Sequence, residues 1–361
     1  MKSFSDYIVN VSNLRCNISM FKRILKDNVK LCAVVKADAY GVGVKSVCEN
    51  LVDFVDYFAV SNVIEAKQIR ELNIDTKILI LGSVPINEIE YCVKNNIEIN
   101  IYSVDYLKSI IDYITDGELG VHLKINTGLN RYGFKNKKDL CAALKLIDSN
   151  KNLKLVGVFT HFATKGNDLE FLKIQKNIFQ DYLSFIPKNV IRHCANSFAS
   201  LYSSTYQQDM IRVGVNMYGD VRGERLPLKD VVSITSQIVS INKVAKGQSI
   251  GYDRTYIVEK NSLIAVVPLG YADGVSRRAS NKMHVLINGQ KAKIVGNICM
   301  DAFMVDVTDI KNVFVGSRVV ILGEDGGEKI TCVDWAKAVG TSPYEILLNF
   351  RYKRMNYVTK K

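Results

Sequence analysis

The sequence predicts an α/β fold, a (β/α)8 TIM-like barrel followed by a mainly β C-terminal domain. From about residue 30 to residue 215, short apolar segments rich in β-branched residues alternate with amphipathic helical patterns, as in a parallel sheet covered by helices on both faces. About eight such units follow one another, which suits a closed barrel and is too many for the alternative, a doubly wound open sheet. From about residue 229 onward, turn sequences separate strand patterns and helical patterns become scarce.

The barrel prediction depends on a series of apolar segments in the first part of the chain. They are residues 31–36, 57–61, 77–81, 98–102, 121–125, 154–160, 190–193 and 210–213. The clearest helical periodicity between them, with apolar positions three and four residues apart, lies at residues 63–72, 140–146 and 168–185. Together these segments place the barrel domain at residues 1–228.

The C-terminal β domain is predicted at residues 229–361. Its strand patterns are residues 231–239, 249–256, 263–269, 283–287, 290–295, 302–307 and 318–322. Turn-forming residues such as Asn288 and Gly289 separate them. Helical patterns return at residues 331–339 and 343–348.

Composition narrows the functional classes. The chain has 361 residues, 48% of them hydrophobic and 23% charged, which suits a large folded core. Its eight cysteines form no Cys-x-x-Cys pair and it has four histidines, so we expect reduced thiols and no metal site. The net charge of +12 is spread out without interleaved aromatic residues, which disfavours nucleic acid as a partner. Since neither a signal-peptide pattern nor a bilayer-length apolar stretch is present, we expect a soluble, cytoplasmic protein without a membrane partner.

Lys36 ends the first apolar segment and is the main candidate for chemistry. Burying an ammonium group without a partner is costly, so burial lowers the pKa of a lysine and makes its amine a better nucleophile. Reactive groups of such barrels gather at the carboxyl ends of the strands. We therefore interpret Lys36 as a Schiff-base lysine at the mouth of the barrel. The alternative is a structural lysine whose charged end reaches solvent.

Further polar side chains follow later strands at the same predicted edge. Arg131 comes after the fifth predicted strand, His161 after the sixth, and His193 ends the seventh. Arg212 lies in the eighth strand. On residue type alone, each histidine could be a hydrogen-bonded core residue, and Arg212 could pair with the protein or with a ligand.

Asn196 and Ser197 precede a helical pattern and allow two interpretations. The pair could be a helix N-cap, because Asn and Ser side chains accept hydrogen bonds from the first backbone N–H groups of a helix. Together with Gly214, it could instead hold a phosphate group. The residues alone leave both interpretations open.

An ordered series of motifs gives these residues a common context. The segment AVVKADAYG around Lys36 resembles the pyridoxal-phosphate signature of the alanine racemase family. The further matching segments are VHLKINTGLNRYGF at 121–134, THFAT at 160–164, HCANS at 193–197, RVGVNMYG at 212–219, PLGYADG at 268–274, CMD at 299–301 and PYEIL at 343–347. Because they occur in order along nearly the whole chain, the resemblance implies a fold-type III pyridoxal-phosphate enzyme with an N-terminal barrel, a C-terminal β domain and a head-to-tail homodimer.

The resemblance also implies a role for each matching residue. Lys36 would bind pyridoxal 5'-phosphate covalently, and Lys36 and Tyr271 would transfer protons on opposite faces of a small amino-acid substrate. Arg131 and Met300 would contact the substrate, and Tyr271 and Met300 would reach the active site of the other subunit. Lys124 matches a lysine that is carbamylated in some members. The residues implied to surround or support the cofactor are Tyr40, His161, His193, Asn196, Ser197, Arg212, Gly214, Val215 and Tyr344.

These roles predict an alanine racemase that interconverts L- and D-alanine and supplies D-alanine for peptidoglycan. A serine or broad-specificity racemase is the nearest alternative, because Asn126 and Asn297 stand where the family commonly has aspartate and arginine. Segment 348–356 also lacks the Arg-Val-Pro-Arg ending that is usual in the family, which leaves the final strand undefined.

Three other classes remain as alternatives. A fold-type III amino-acid decarboxylase would share the cofactor but not the Tyr-Ala-Asp-Gly block at 271–274. A pyridoxal-phosphate homeostasis protein would resemble the barrel alone, whereas a β domain is predicted here. A cofactor-free barrel enzyme would use Lys36 for a Schiff base of its own.

Overall fold

The computed structural model describes residues 3–164, 167–220, 227–350 and 352–361. The chain divides into two compact units. The first, which we call the barrel unit, comprises Ile18–Ala39 and Gly43–Gly214. The second, the β unit, comprises Met1–Asn17, Tyr40–Val42 and Val215–Lys361.

The first strand of the chain, β1 (Asp6–Asn10), belongs to the β unit although the sequence places it within the barrel domain. It pairs antiparallel with residues 232–235 and parallel with residues 356–360, so its backbone hydrogen bonds are satisfied in the β unit's sheet. Helix α1 (Val11–Arg23) follows β1 directly in the chain.

Eight parallel strands form a nearly closed barrel in the barrel unit, counted over the described residues. They are β2 (Lys30–Val34), β3 (Tyr57–Val60), β4 (Lys77–Ile80), β5 (Ile97–Ile101), β6 (Leu119–Lys124), β7 (Leu153–Phe159), β8 (Ile191–His193) and β9 (Met210–Val213). Each strand from β2 to β7 lies beside its successor, and β9 pairs with β2. A bridge between Asn196 and Arg212 connects the two remaining edges. The predicted (β/α)8 fold is therefore confirmed.

Helices follow the barrel strands as predicted. They are α2 (Val44–Leu51), α3 (Val63–Arg70), α4 (Ile89–Lys94), α5 (Val104–Tyr113), α6 (Lys137–Asp148), α7 (Leu169–Leu183) and α8 (Ser197–Tyr202). Most begin after a polar residue whose side chain accepts a hydrogen bond from the backbone N–H three residues on, as Asn62, Asn136 and Asp168 do. These N-caps explain why each of the capped helices begins directly after an Asn, Asp or Ser residue.

The β unit is mainly β, which confirms the second part of the fold prediction. Its further strands are β10 (Val232–Gln237), β11 (Ser240–Val244), β12 (Ser249–Ile250), β13 (Tyr256–Ile257), β14 (Ser262–Val267), β15 (His284–Ile287), β16 (Gln290–Val295), β17 (Phe303–Asp306), β18 (Arg318–Asp325), β19 (Glu328–Ile330) and β20 (Asn356–Lys360). Its helices are α9 (Cys332–Val339) and α10 (Pro343–Asn349). Apart from the parallel pair β1 and β20, the described strand pairs of this unit are antiparallel.

Two segments of the β unit differ from the sequence prediction. Residues 249–256, predicted as one strand, form β12 and β13 with a turn between them, because Gly251 and Asp253 adopt positive φ angles of 71° and 62°. The final strand β20, which the sequence left undefined, is polar and forms the sheet edge beside β1.

The barrel interior is polar where an apolar filling is usual for this fold. Glu98, His122, His193 and Arg212 come from four different strands, and each is at most 4% exposed. Buried ionisable groups of this kind require hydrogen-bond partners. Such groups often occur at functional sites. Across the described part of the chain, no helix combines the length and the apolar character that crossing a bilayer requires.

Candidate active site

Lys36 lies just beyond β2, where Val35 N still donates to the carbonyl of Ala59 at 2.8 Å. Its side chain is partly buried. Burial and the charge of Arg131 lower the pKa of Lys36, while the carboxylate of Glu65 opposes the shift. The neutral amine is therefore more populated than in a solvated lysine, as a nucleophile or proton acceptor requires.

The four residues after Lys36 form a left-handed turn, with φ angles between 51° and 59°. They are Ala37, Asp38, Ala39 and Tyr40. This conformation costs an L-residue about 1–2 kcal/mol, so neighbouring contacts must hold it. The carboxylate of Glu65 accepts hydrogen bonds from Ala37 N at 2.8 Å and from Ser61 N at 2.7 Å. Glu65, which was not predicted from the sequence, thus fixes the backbone conformation that follows Lys36.

Arg212 lies in β9 and binds the chain with both terminal nitrogens. Nη1 donates to His193 Nδ1 at 2.9 Å and to the His193 carbonyl at 3.0 Å. Nη2 donates to the Thr160 carbonyl at 2.7 Å and lies 3.4 Å from His161 Nδ1. Burial and then the charge of Arg212 hold the pKa of both histidines well below the usual range. Both predicted supporting histidines therefore contact Arg212 as neutral imidazoles.

A second group of buried residues continues from His193, away from Arg212. His193 Nε2 lies 2.9 Å from His122 Nδ1, and His122 Nε2 lies 2.8 Å from a carboxylate oxygen of Glu98. The other Glu98 oxygen accepts from Tyr57 at 3.3 Å and from Lys77 at 3.0 Å. Neither His122 nor Glu98 was predicted from the sequence. The available signal was an acidic residue at an inward position of the apolar strand Ile-Glu-Ile-Asn-Ile.

Lys124 ends β6 and is only 3% exposed. Its ammonium nitrogen lies 5.0 Å from the ring centre of Tyr132 and 5.3 Å from that of Phe159. Burial lowers the pKa of Lys124 to about 7, and the charges of Arg131, Arg212 and Lys36 act in the same direction. Lys124 therefore interacts electrostatically with all three of these groups.

The lowered pKa of Lys124 predicts a pH-dependent stability. The unfolded chain keeps this amine protonated up to about its ordinary pKa of 10.5, so above pH 7 it binds more protons than the folded chain, and stability rises with pH. From pH 7 to pH 9, the cofactor-free protein should gain about 2 kcal/mol of unfolding free energy relative to a Lys124→Met variant. Urea denaturation in buffers free of carbon dioxide measures the difference. An identical pH dependence in both proteins would contradict the buried, mostly neutral lysine.

Asn196, Ser197 and Gly214 meet at the start of α8. The Asn196 side chain accepts from Ala199 N at 2.9 Å, so the N-cap interpretation of this residue is correct. Ser197 Oγ accepts from Gly214 N at 3.1 Å and is largely buried. The structure therefore joins the end of β9 to the start of α8 through the two residues predicted to hold a phosphate.

The β unit holds the remaining predicted cofactor neighbours. The rings of Tyr40 and Tyr344 are tilted, with centres 6.3 Å apart, and Tyr40 also lies 5.9 Å from the ring centre of Tyr218. Burial, together with Tyr344, raises the pKa of Tyr40, so its phenol stays protonated and can donate a hydrogen bond. Val215 is buried within the same unit.

Tyr271 and Met300 lie on two loops of the β unit that are joined by backbone hydrogen bonds. Tyr271 N donates to Cys299 O at 3.1 Å, and Ala272 N donates to Met300 O at 3.0 Å. The side chains of Tyr271 and Met300 are 43% and 54% exposed. The structure therefore brings these two predicted residues together and leaves both accessible.

Arg354, from the chain's final segment, connects the same two loops. Its Nε donates to Asp273 at 2.7 Å and its Nη2 donates to Asp301 at 2.7 Å. Asp273 in turn accepts from Gly270 N at 2.9 Å. Although the segment lacks the expected Arg-Val-Pro-Arg ending, it still supplies an arginine that holds the loops of Tyr271 and Met300.

Two family models match most of the chain. Residues 9–222 match the alanine racemase N-terminal domain, and residues 231–358 match the alanine racemase C-terminal domain. The chain belongs to the alanine racemase family. The family resemblance predicted from the motifs is thereby confirmed, and so is the enzyme class, an amino-acid racemase.

Individual members of the alanine racemase family resemble the chain closely. It is 35% identical over 350 residues to alanine racemase 2 of Caldanaerobacter subterraneus subsp. tengcongensis. The aligned residues make up 94% of this chain and 90% of that protein. The crystal structure of alanine racemase from E. faecalis matches with a TM-score of 0.94 and 29% identity, over 99% of this chain and 98% of that chain. A histidine racemase from Leuconostoc mesenteroides matches with a TM-score of 0.89 and 25% identity, over 99% and 98%. The fold is therefore shared by racemases of different amino acids.

Proposed function

We propose that the chain is a pyridoxal-phosphate-dependent alanine racemase that interconverts L- and D-alanine in the cytoplasm and supplies D-alanine for peptidoglycan. The observation that carries the proposal is a cluster of basic groups at the carboxyl ends of the barrel strands. Burial and then the charges of Arg131, Arg212 and Lys36 lower the pKa of Lys124, and burial and then the charges of all four basic groups lower the pKa of His161. Such a concentration of positive charge favours anionic ligands. A phosphorylated cofactor and the carboxylate of an amino acid are ligands of this kind.

The residues present fit pyridoxal phosphate in three respects. Lys36 offers a primary amine with a lowered pKa, and Ser197 offers to a phosphate a hydroxyl whose oxygen is fixed by a hydrogen bond from Gly214 N. Among the described residues, no acceptor pairs with the Nε–H of Arg212, which is therefore available to a ring nitrogen. When bound, the cofactor withdraws electrons from the α-carbon of the amino acid and so acidifies its C–H bond.

Five further residues would lie around the cofactor or support the residues that bind it. The partly buried Tyr40 would donate a hydrogen bond from its phenol to the phosphate, with Val215 and Tyr344 beside it. His161, which is neutral, would lie near the ring next to Arg212. Asn196 would act indirectly, because its side chain already caps α8.

Racemisation removes a proton from one face of the α-carbon and returns a proton to the other, so it needs two proton-transfer groups. Lys36 serves one face, since burial and the charge of Arg131 lower the pKa of its amine. Tyr271 from a second copy of the chain serves the other, in a homodimer with shared sites. Its exposed ring, next to Met300, supports that assignment. Arg131 binds the substrate carboxylate.

Lys124 is proposed to carry a carbamate that orients Arg131. Carbon dioxide reacts with a neutral amine, and the lowered pKa of Lys124 makes that form abundant at neutral pH. A carbamate would also place a negative charge among Arg131, Arg212 and Lys36. Incubation with 13C-labelled bicarbonate should give a carbamate carbon signal in wild-type protein and none in the Lys124→Met variant.

Alanine is the proposed substrate over serine or a larger amino acid. Tyr344 packs against Tyr40, and a bulky residue at this position leaves little room for a polar side chain. We expect kcat/KM for L-alanine to exceed that for L-serine by about tenfold or more, with L-histidine lower still. Chiral chromatography of the products measures all three. Faster turnover of serine would replace the proposal by the broad-specificity alternative.

The absorption spectrum of freshly purified protein tests the cofactor directly. A visible band that disappears on borohydride treatment is expected for pyridoxal phosphate bound to Lys36. Its absence would favour the cofactor-free alternative. Release of carbon dioxide from lysine, ornithine or diaminopimelate would instead favour the decarboxylase, which the match to both racemase domains argues against.

A further inference from the structure

The buried polar chain in the barrel connects Arg212 to a carboxylate on the far side of the interior. Its members, in order, are Arg212, His193, His122 and Glu98, from strands β9, β8, β6 and β5. The three connecting distances are 2.9 Å, 2.9 Å and 2.8 Å. Each link joins two ring or side-chain atoms that are shielded from water. A chain of this kind is satisfied only if every link has one donor and one acceptor.

The positions of the protons in the buried polar chain follow from its two end residues, Arg212 and Glu98. Arg212 is always charged and can only donate, so His193 Nδ1 must be unprotonated. A neutral His193 then carries its proton on Nε2 and donates it to His122 Nδ1. His122 must therefore carry its own proton on Nε2 and donate it to the carboxylate of Glu98. All three hydrogen bonds point in one direction, from the guanidinium to the carboxylate.

The charge states required by this order agree with the surroundings. Burial and Arg212 lower the pKa of His193, which keeps its ring neutral. Burial raises the pKa of Glu98, but the hydrogen bonds that His122 and Lys77 donate to its carboxylate lower the pKa, which lies below its ordinary value. Glu98 is therefore ionised and can act as the terminal acceptor.

Two glycines leave space for the side chains of the buried polar chain. A β-carbon at Gly157 would lie 2.1 Å from His122 Nδ1, inside its hydrogen bond to His193. A β-carbon at Gly120 would lie 2.8 Å from Glu98 Cγ. Neither glycine has a positive φ, so neither is required by its backbone conformation. Their positions are explained by the space that the imidazole and the carboxylate need.

We infer that Glu98 is a positioning residue for Arg212, which it directs through His122 and His193 by fixing the proton positions of both imidazoles. Arg212 Nη1 donates one hydrogen bond to the His193 ring and one to the His193 carbonyl, so a neutral, oriented imidazole helps to hold the guanidinium plane in place. That plane determines where the remaining Nε–H points. The consequence for the cofactor rests on the proposed function, in which this N–H meets the ring nitrogen.

Imidazole nitrogen NMR of the cofactor-loaded protein tests the proton order. The chain has four histidines, so their ring nitrogens can be assigned by substitution. We expect His122 and His193 to be neutral, each with its proton on Nε2. A proton on Nδ1 of either ring, or a doubly protonated ring, would overturn the inference.

Two variants of Glu98 then test its role. Glu98→Gln keeps an acceptor oxygen but removes the charge, so both proton positions should be retained while the His122 Nε2 proton resonance moves upfield. Glu98→Leu removes the acceptor, so the proton order of His193 should be lost. If Glu98→Leu does not fold, the Gln variant still decides, because an unchanged His122 resonance there would overturn the inference.

Cofactor affinity provides the functional measurement, with Glu118→Gln as the matched control. Glu118 pairs with Lys154 at the protein surface and lies outside the buried chain. Glu98→Leu should weaken binding of pyridoxal phosphate about tenfold or more, Glu98→Gln should weaken it less, and Glu118→Gln should leave it unchanged. Equal affinity in all variants would overturn the positioning role. If the wild-type protein bound no cofactor, the proposed function would fail, and the NMR result would still decide the proton order.

Discussion

Replacing Lys36 with alanine should lower the rate of racemisation in both directions by about 10³-fold or more, because one residue is proposed both to bind the cofactor and to transfer a proton. The visible band that borohydride removes should also disappear. The rates are measured by following D-alanine formation from L-alanine and the reverse reaction, each at saturating cofactor. The lowered pKa of Lys36 and its place after β2 are the reasons for expecting so large an effect from one amine.

Lys30→Ala is a suitable control, since Lys30 begins the same strand that Lys36 follows. This variant should keep the band and the activity. Added methylamine should restore part of the activity of Lys36→Ala if the missing amine, and not a folding defect, causes the loss. Retention of more than about a tenth of the activity by Lys36→Ala would show that another group performs the chemistry.

The fold could be predicted in large part because its signals are local. The apolar strands of the barrel are short, continuous and separated by helical periodicity, and the observed limits differ from the predicted ones by one or two residues at most ends. The strand β1 could not be assigned to its sheet in this way. Its partners are residues 232–235 and 356–360, which are distant in sequence, and no local pattern encodes such a pairing.

The candidate site was predicted unevenly for a related reason. Residues with an unusual type at a strand end, such as Lys36 and Arg212, are visible in the sequence. The left-handed turn after Lys36 is not, because ordinary residues such as Ala37 and Ala39 form it and Glu65 holds it from elsewhere. Glu98 was missed because a single acidic residue in an apolar strand is equally compatible with a solvated edge. Its meaning depends on which side chains face it across the barrel.

Mixed dimers should show whether Lys36 and Tyr271 act within one subunit or across two. Suppose that Lys36→Ala and Tyr271→Phe chains, each with a different affinity tag, are produced together and the mixed dimer is purified. If each site combines Lys36 of one subunit with Tyr271 of the other, one of the two sites is intact, and the mixed dimer should have about half of the wild-type activity. Either variant alone should be nearly inactive, so the recovery is large and easily measured by D-alanine formation.

A second mixed dimer, with both substitutions in one chain, serves as the internal control and should be inactive where the first is active. A mixed dimer of wild-type chain with a chain carrying both Lys36→Ala and Tyr271→Phe places one defect in each shared site, so it should be nearly inactive. If both residues act within one subunit, this dimer should instead keep about half of the activity and the first should have almost none. The two dimers contain the same four side chains at positions 36 and 271. Differences in stability or cofactor supply therefore cannot produce the expected contrast, which depends only on which chain supplies the tyrosine.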